Sequence, residues 1–281
     1  MNVIDLLPKH YQEKVSHFVM NRRFPLDLEP ELPIEVVCDE PRIRQLWAHV
    51  ERTWEQLGRD EPYWSVLSGD SFRTSSFTKY ETRFWESGRF DSARLPAWMK
   101  RNGIEPQPDW TCLEYGCGTG RITRWLCRQF RSVTACDISS AHLALARKAT
   151  SDLAARVQFL QISDLEAIHR LPAADVLFSI MVLQHNPPPV IAYILDRLLG
   201  NLRPGAIAFF QVPTFRLGYT FDVNQYLSKG HDEMEMHILP QRHVFEIARR
   251  RQCEIIEVQP DNWAWSLEFV STTFLLRKAG G

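Results

Sequence analysis

The spacing of hydrophobic positions changes near residue 110. Before that point apolar residues recur at helical intervals. In 41–57, Ile43, Leu46, Trp47, Val50, Trp54 and Leu57 form one stripe, with Pro41 suited to a first turn and Gly58 to a stop. A second helix is predicted over 78–86, ended by Gly88. A third is predicted over 91–102, where Leu95, Trp98 and Met99 share a side and Pro96 weakens the first half. Between the first two, residues 61–72 are apolar but broken by Pro62, Gly69 and Asp70.

From Thr111 the pattern becomes short apolar runs alternating with helical stretches. Strands are predicted at 111–115, 132–137, 157–161, 174–180 and 205–212, with helices near 120–130, 139–150 and 188–200. Such alternation predicts an α/β fold, a Rossmann-like, mostly parallel sheet covered on both faces. After a helix near 240–250, strands at 253–259 and 268–277 are joined by only a turn. They are expected as an antiparallel C-terminal pair at the sheet edge. Residues 213–238 form a long polar and aromatic insertion, a length that suits a lid. The expected organisation is a mainly helical cap over 1–104 and a cofactor-binding domain over 105–281.

Composition narrows the class. The 281 residues are 44% hydrophobic and 11% aromatic, which excludes a disordered chain. A formal charge of -1 argues against a general nucleic-acid binder. No apolar run approaches the roughly 18 residues of a membrane span, and the N-terminus lacks a signal-peptide pattern. The six cysteines form no Cys-x-x-Cys pair and read as reduced thiols of a cytoplasmic protein. Oligomeric state is left open.

The strongest chemical signal is LEYGCGTG, residues 113–120, between the first strand and a helix. Gly116, Gly118 and Gly120 allow a tight turn and close approach of a ligand to backbone N–H groups. A purely structural strand–helix turn would look the same. Asp137 closes the next strand, 19 residues after Gly118. Its carboxylate is placed to accept from ribose hydroxyls, or simply to cap the helix beginning at Ser139 and Ser140. Together they favour a nucleoside ligand without separating nicotinamide dinucleotides from other adenosine cofactors.

At these residues the chain resembles the class I S-adenosylmethionine-dependent methyltransferases. Residues 113–120 resemble the family's first motif, with the acid Glu114 ahead of Gly116, Cys117, Gly118 and Gly120. Asp137, followed by Ile138, matches the ribose-binding acid after the second strand. Ser163, Asp164 and Leu165 resemble the third motif, in which the resemblance implies that Asp164 meets the adenine amino group. Residues 178–185 (FSIMVLQH), including Ser179, resemble the fourth-strand motif, and 202–206 (LRPGA) the turn before the fifth strand. The resemblance covers about 105–281 and implies S-adenosyl-L-methionine as cofactor. More loosely, the whole chain is similar to bacterial methyltransferases found with glycan and natural-product genes, which carry a segment like PYWSVL, here 62–67. Tyr115 departs from the commoner small or apolar residue before the glycines.

The acceptor side is read from the residues. His185, just past the fourth strand, is the first candidate base for a hydroxyl acceptor; a structural histidine before Pro187, Pro188 and Pro189 is the alternative. His237, at the end of the insertion, is the second candidate base or an exposed side chain. His231, Asp232, Glu233, Glu235 and His237 match no zinc signature, and no metal is expected. Tyr63, Trp64, Phe72, Phe77, Tyr80, Phe84, Trp85 and Phe90 read as the core of the cap or as faces for a flat or sugar acceptor, with Tyr219, Phe221 and Tyr226 as partners across a cleft. Arg73, Lys79, Arg83 and Arg89 suit an anionic substituent or a solvated helix face.

The reading that results is methyl transfer to a small-molecule hydroxyl, on a saccharide or glycosylated metabolite. N- or C-methylation of a natural product or quinone-like molecule is the alternative. Macromolecule methylation is disfavoured because Asn186 and its prolines follow His185 and lack a closing aromatic. A non-catalytic binding protein is disfavoured by complete motifs, and a dehydrogenase by Glu114 and the antiparallel tail.

Overall fold

The structure, a computed structural model, describes residues 33–229, 233–264, 266 and 268–280. Its seven strands are β1 (Thr111–Tyr115), β2 (Ser132–Asp137), β3 (Val157–Gln161), β4 (Val176–Ser179), β5 (Ile207–Arg216), β6 (Cys253–Asp261) and β7 (Phe269–Lys278). They form one sheet in the order β3-β2-β1-β4-β5-β7-β6. The first five are parallel, with Leu113 of β1 flanked by Thr134 and Leu177. β4 is buried along its whole length, as expected for a central parallel strand covered on both faces.

The tail refines the expected edge pair. β6 and β7 are antiparallel neighbours, but β7 is inserted between β5 and β6 and is antiparallel to both. The crossover that reaches β6 leaves it running with the parallel set, so only β7 is reversed. The outer strand β6 exposes Glu254 and the adjoining Ile255; charge on an edge of this kind discourages pairing with another sheet.

Four helices precede the sheet: α1 (Glu40–Asp60), α2 (Pro62–Val66), α3 (Phe77–Ser92) and α4 (Arg94–Arg101). Asp39 caps α1 by accepting from the Arg42 N–H at 3.0 Å. The helix buries Ile43, Leu46, Trp47 and Val50 of the predicted stripe. Ile43, Leu46 and Trp47 join the core on one face of the sheet, while Leu95, Trp98 and Met99 of α4 join that on the other. Pro96 falls in the first turn of α4, where a missing N–H costs no helical bond. Between and after the strands lie α5 (Thr123–Gln129), α6 (Ser140–Ala149), α7 (Leu165–His169), α8 (Pro188–Gly200), α9 (Val223–Leu227) and α10 (Gln241–Arg250).

Two glycines expected to end helices lie inside them. α1 continues past Gly58 and α3 past Gly88. A Cβ at Gly58 would stand 2.4 Å from Ser139 Oγ, and one at Gly88 only 2.1 Å from the Arg121 carbonyl oxygen. Both glycines are contact points between cap and sheet domain, not stops.

The first part of the insertion is tied into the fold, and its residues 230–232 lie outside the described residues. β5 extends to Arg216, and Phe221 makes a parallel bridge with Ile34, through Glu35 N–H to Phe221 O (2.9 Å) and Phe221 N–H to Pro33 O (3.1 Å). Tyr219, Phe221 and Tyr226 are buried with the main core and border a hollow beside His237, not the cleft over the sheet. Of the cap aromatics, Phe72, Phe77 and Phe84 form a small core with Tyr63, Tyr80 and Trp85 packed against it.

Gly88→Ala separates helix propensity from packing. Propensity alone would stabilise α3 by about 1 kcal/mol. The contact with the Arg121 carbonyl predicts net destabilisation of about 1–3 kcal/mol instead, read as a lower urea midpoint.

Candidate active site

The C-terminal ends of β1, β2 and β4 open into a mainly apolar cavity with a few convergent polar groups, the character usual for a ligand site. The loop after β1 supplies Glu114, Tyr115, Gly116, Cys117, Gly118, Arg121 and Ile122 to its wall. The turn after β2 supplies Asp137, Ile138 and His142. The far wall comes from the cap, through Trp47, Val50, Trp54, Ser65 and Val66, and from Ile180, Met181, Val182 and Asn186 after β4. Gly116 and Gly118 have positive φ, 78° and 54°. A Cβ on either would strike Val182 Cγ2 (2.3 Å) or Val66 Cγ2 (2.6 Å), so both cap and β4 loop close directly over the glycine loop.

The polar groups of this cavity are under-supplied with partners. Glu114 is fully buried, its Oε2 has no hydrogen-bond partner among the described residues, and burial pushes its carboxyl up to about 8 despite the nearby Thr123 and Arg121. Arg121 is also buried. Its NH1 group bonds Asp91 Oδ2 (2.6 Å) and Ser87 Oγ (3.0 Å), while Nε has no partner among those residues. Asp137 Oδ2 accepts from Gly118 N–H (2.7 Å) and Oδ1 from Ser139 N–H (2.9 Å), which leaves lone pairs on both oxygens. His142 Nε2 lies 3.2 Å from the Pro62 carbonyl and 3.0 Å from Ser65 Oγ, so Nε2 carries the proton. Its Nδ1 is then an acceptor, without a partner, 4.0 Å from Asp137 Oδ1. Burial lowers the His142 pKa, against the pull of Asp137.

A second, larger cleft shares Ser65, Val66 and Met181 with this cavity. Its apolar wall includes Leu67, Phe72, Met234, Met236 and Trp263, and His185 lies on it. Met181, at the junction, has φ 58°, a left-handed conformation costly for a side chain of this size. Its N–H donates to Gln211 Oε1 at 2.8 Å. Because a backbone N–H can only donate, Gln211 Nε2 must be the donor to Ser271 Oγ (2.6 Å) and Gln184 Oε1 (3.0 Å). Gln184 Nε2 then donates to His185 Nε2 (3.2 Å), and His185 Nδ1 donates to the Glu235 carbonyl (2.9 Å). Burial holds the His185 pKa down at about 4, so the ring is neutral with its lone pair on Nε2.

Residues 112–205 match a family model described as a methyltransferase domain. The order β3-β2-β1-β4-β5-β7-β6, with β7 alone reversed, frames that match. This is the class I S-adenosylmethionine-dependent methyltransferase fold. A ubiquinone biosynthesis O-methyltransferase from Pseudomonas paraeruginosa is 29% identical over 100 residues, which are 35% of this chain and 42% of that protein. The match therefore spans less than half of that relative. Among solved structures, magnesium protoporphyrin IX methyltransferase from Synechocystis PCC 6803 with bound S-adenosylmethionine is similar at TM-score 0.57 and 14% identity, over 87% of this chain and 100% of that one. N-methyltransferase NodS from Bradyrhizobium japonicum WM9 is similar at TM-score 0.53 and 13% identity, over 82% and 98%. A [4+2]-cyclase, SpnF, is similar at TM-score 0.51 and 15% identity, over 89% and 100%.

The cofactor of this methyltransferase domain is S-adenosylmethionine, and the partnerless atoms suit it. Glu114 Oε2 and Arg121 Nε would hold the ammonium and carboxylate of its amino-acid end. Asp137 and His142 Nδ1 are adjacent acceptors for the two ribose hydroxyls. Six residues expected at the cofactor line the cavity: Glu114, Gly116, Cys117, Gly118, Asp137 and Ile138. Five do not. Gly120 packs on Ala146 of α6. Asp164 caps α7, accepting from Ala167 N–H at 2.6 Å, and Ser163 bonds its carboxylate. Leu165 is buried in the core, and Ser179 Oγ donates to Tyr115 O at 2.9 Å, tying β4 to β1.

His237 is not on the acceptor cleft. It is buried, with Nδ1 2.7 Å from Tyr219 Oη and Nε2 3.3 Å from Glu235 Oε2, and borders a separate hollow with Arg216 and Lys229. His231 and Asp232 lie outside the described residues. Among the described residues no group of three His, Cys, Asp or Glu side chains is arranged to hold a metal, and no helix is long and apolar enough to cross a membrane. Trp54, His142 and Arg121 were not expected at the site, whereas Met181 fell within the fourth-strand motif. Trp54 carried a signal as part of the α1 stripe, but that pattern also fits core packing.

Glu114 makes cofactor affinity pH-dependent. Its pKa is raised in the free protein, so the protonated form stabilises the fold at low pH and that contribution is lost as pH rises from 4.5 toward 8. A bound ammonium requires the ionised form, so binding below pH 8 releases a proton. S-adenosylhomocysteine affinity should rise by up to about tenfold per pH unit between roughly pH 5.5 and 7. Glu114→Gln should flatten that slope and weaken binding; a flat slope in the parent protein would remove Glu114 from the ammonium site. Asp137→Ala should weaken binding by about tenfold or more through lost charge-assisted hydrogen bonds, read by the same calorimetry.

Proposed function

We propose that this chain transfers the methyl group of S-adenosylmethionine to a hydroxyl of a small molecule held between cap and sheet. One observation carries the reading: the cofactor cavity and the apolar cleft share Ser65, Val66 and Met181, so an acceptor in the cleft abuts the methyl donor. When bound, the cofactor supplies a sulfonium methyl; the C–S bond breaks as the acceptor O–C bond forms, and the hydroxyl proton passes to a base. Alignment and exclusion of water are the chain's main contributions. The cap performs both, since α1 and α2 close the wall opposite the glycine loop.

The cleft lining supports a glycosylated or otherwise mainly apolar metabolite over a bare saccharide. Met181, Met234, Met236 and Phe72 offer an adaptable apolar bed, with Ser68 and Ser71 at hand for hydroxyls. His185 is the candidate base, because its Nε2 lone pair lies on this wall. An acceptor hydroxyl would compete with the Gln184 amide for it. The low basicity of His185 also supports a second reading, a nucleophile that needs little base, as in N-methylation or transfer to an ionised phenol. The six unpaired cysteines support a cytoplasmic setting.

Product analysis by mass spectrometry, with methyl-labelled cofactor and a panel of glycosides, phenols and hydroxylated lipids, tests the reaction. Absence of labelled product across the panel, with the cofactor bound, would count against methyl transfer to this class. For a hydroxyl acceptor, His185→Ala should lower turnover by about 10²–10⁴-fold and leave cofactor affinity within about twofold. Since the pKa of His185 is lowered to about 4, the active neutral form persists down the acid side. The pH–rate profile should show no histidine limb between about pH 5 and 7.

A further inference from the structure

The cleft holds a group of side chains that methyl transfer itself does not use. Arg83, Ser87 and Asp91 recur every four residues along α3 and so share one helix face. All three line the cleft, and Arg94 joins them from the start of α4. Asp91 is already committed to the buried Arg121 at 2.6 Å. The oxygen of Ser87 serves the same guanidinium at 3.0 Å, and its hydroxyl donates to Phe84 O at 2.6 Å.

What remains facing the cleft is cationic. Arg94 keeps only a 4.0 Å approach to Asp91 Oδ1 and lies over the Trp263 ring, 4.7 Å from its centroid. Arg83 is exposed and has no hydrogen bond or ion pair among the described residues. The other cations that the sequence offered for an anion are engaged away from the cleft. Arg73 pairs with Glu61 at 3.8 Å and stacks on Trp64, Lys79 lies 5.3 Å from the Tyr80 ring centroid, and Arg89 pairs with Glu86 at 2.7 Å. Among the described residues Asp91 is the only acidic residue of the cleft lining, and Arg121 pairs with it. A positive end therefore adjoins an apolar wall of methionines and Phe72.

We propose that Arg83 and Arg94 bind an anionic group, a carboxylate or a phosphate, at one end of an otherwise apolar acceptor whose methyl-accepting atom lies at the Met181 end of the cleft. This rests on the reading of the cleft as the acceptor site. Guanidinium groups suit carboxylate and phosphate oxygens because their donors form a planar fork. Stacking on Trp263 orients that of Arg94 before an anion arrives.

The probes are naphthalene carboxylate, naphthyl phosphate and uncharged naphthalene carboxamide, one apolar body with three heads. They are titrated at low salt into the protein with and without S-adenosylhomocysteine, followed by fluorescence. One of the anions should bind about tenfold or more tightly than the amide, as charge-assisted pairing requires. Which anion wins tells carboxylate from phosphate. Arg83→Gln should cut affinity for that anion by about fivefold while leaving the amide unchanged, and Arg94→Lys should retain more of the anion preference than Arg94→Gln. Equal affinity for the three probes overturns the proposal, as does an anion preference that survives in the Arg83→Gln, Arg94→Gln double variant. S-adenosylhomocysteine binding is read separately: its absence would sink methyl transfer while the probe titrations still judge the anion site.

Discussion

The buried guanidinium of Arg121 is the joint on which the site depends. It leaves the glycine loop, reaches Asp91 and Ser87 on α3, and is 2% exposed at its side chain. Removing one partner of a buried pair typically costs about 3–5 kcal/mol, because the other charge is stranded. Gly88 lets α3 come close enough for the contact, and the Trp125 indole adds a bond to Trp85 O at 3.0 Å. On the other side of the loop, Glu55 of α1 accepts from the Ser140 N–H and hydroxyl, both at 2.8 Å, at the start of α6. The cap is thereby fixed at two points around the cofactor cavity, whose far wall it forms. Without that docking the glycine loop and Asp137 would line an open groove rather than an enclosed site.

Most of the sheet was legible because parallel strands buried on both faces appear as continuous apolar runs. The helices of the cap were legible from their stripes. Strand order was not, since nothing local distinguishes a hairpin at the sheet edge from one whose second strand inserts beside β5. Gly58 and Gly88 misled for a physical reason. A glycine that ends a helix and one that admits a neighbouring chain look alike in sequence, and only the partner, Ser139 or Arg121, tells them apart.

The candidate site was legible where chemistry is local. The glycine loop and Asp137 sit on consecutive strand ends, and their neighbours in sequence are neighbours in the cavity. Asp164 and Ser179 show the limit: both occupy motif positions, yet here one carboxylate caps α7 and one hydroxyl ties β4 to β1. His237 shows it again. Proximity to the insertion suggested a catalytic role, but Tyr219 and Glu235 hold it in a separate hollow. The cap residues Trp54 and Val66 stood in segments the sequence singled out, but their place in the cavity wall depends on tertiary docking and so could not be read from it.

A fold shared by a magnesium protoporphyrin IX methyltransferase, an N-methyltransferase and a [4+2]-cyclase cannot by itself define a reaction; the side chains over the sheet must. Here their arrangement reaches back to the reversed strand. Ser271 of β7 accepts from Gln211 of β5, which holds the left-handed Met181 and turns the Gln184 amide toward His185. Gln184, Gln211 and Ser271 are buried, where an unmade hydrogen bond is costly, so each amide has a single satisfactory orientation. The insertion of β7 between β5 and β6 thus has a chemical consequence. It brings Ser271 beside Gln211 as an acceptor for that amide, while the donor-only Met181 N–H and the acceptor-only Glu235 carbonyl set the direction of the chain and leave the lone pair on His185 Nε2.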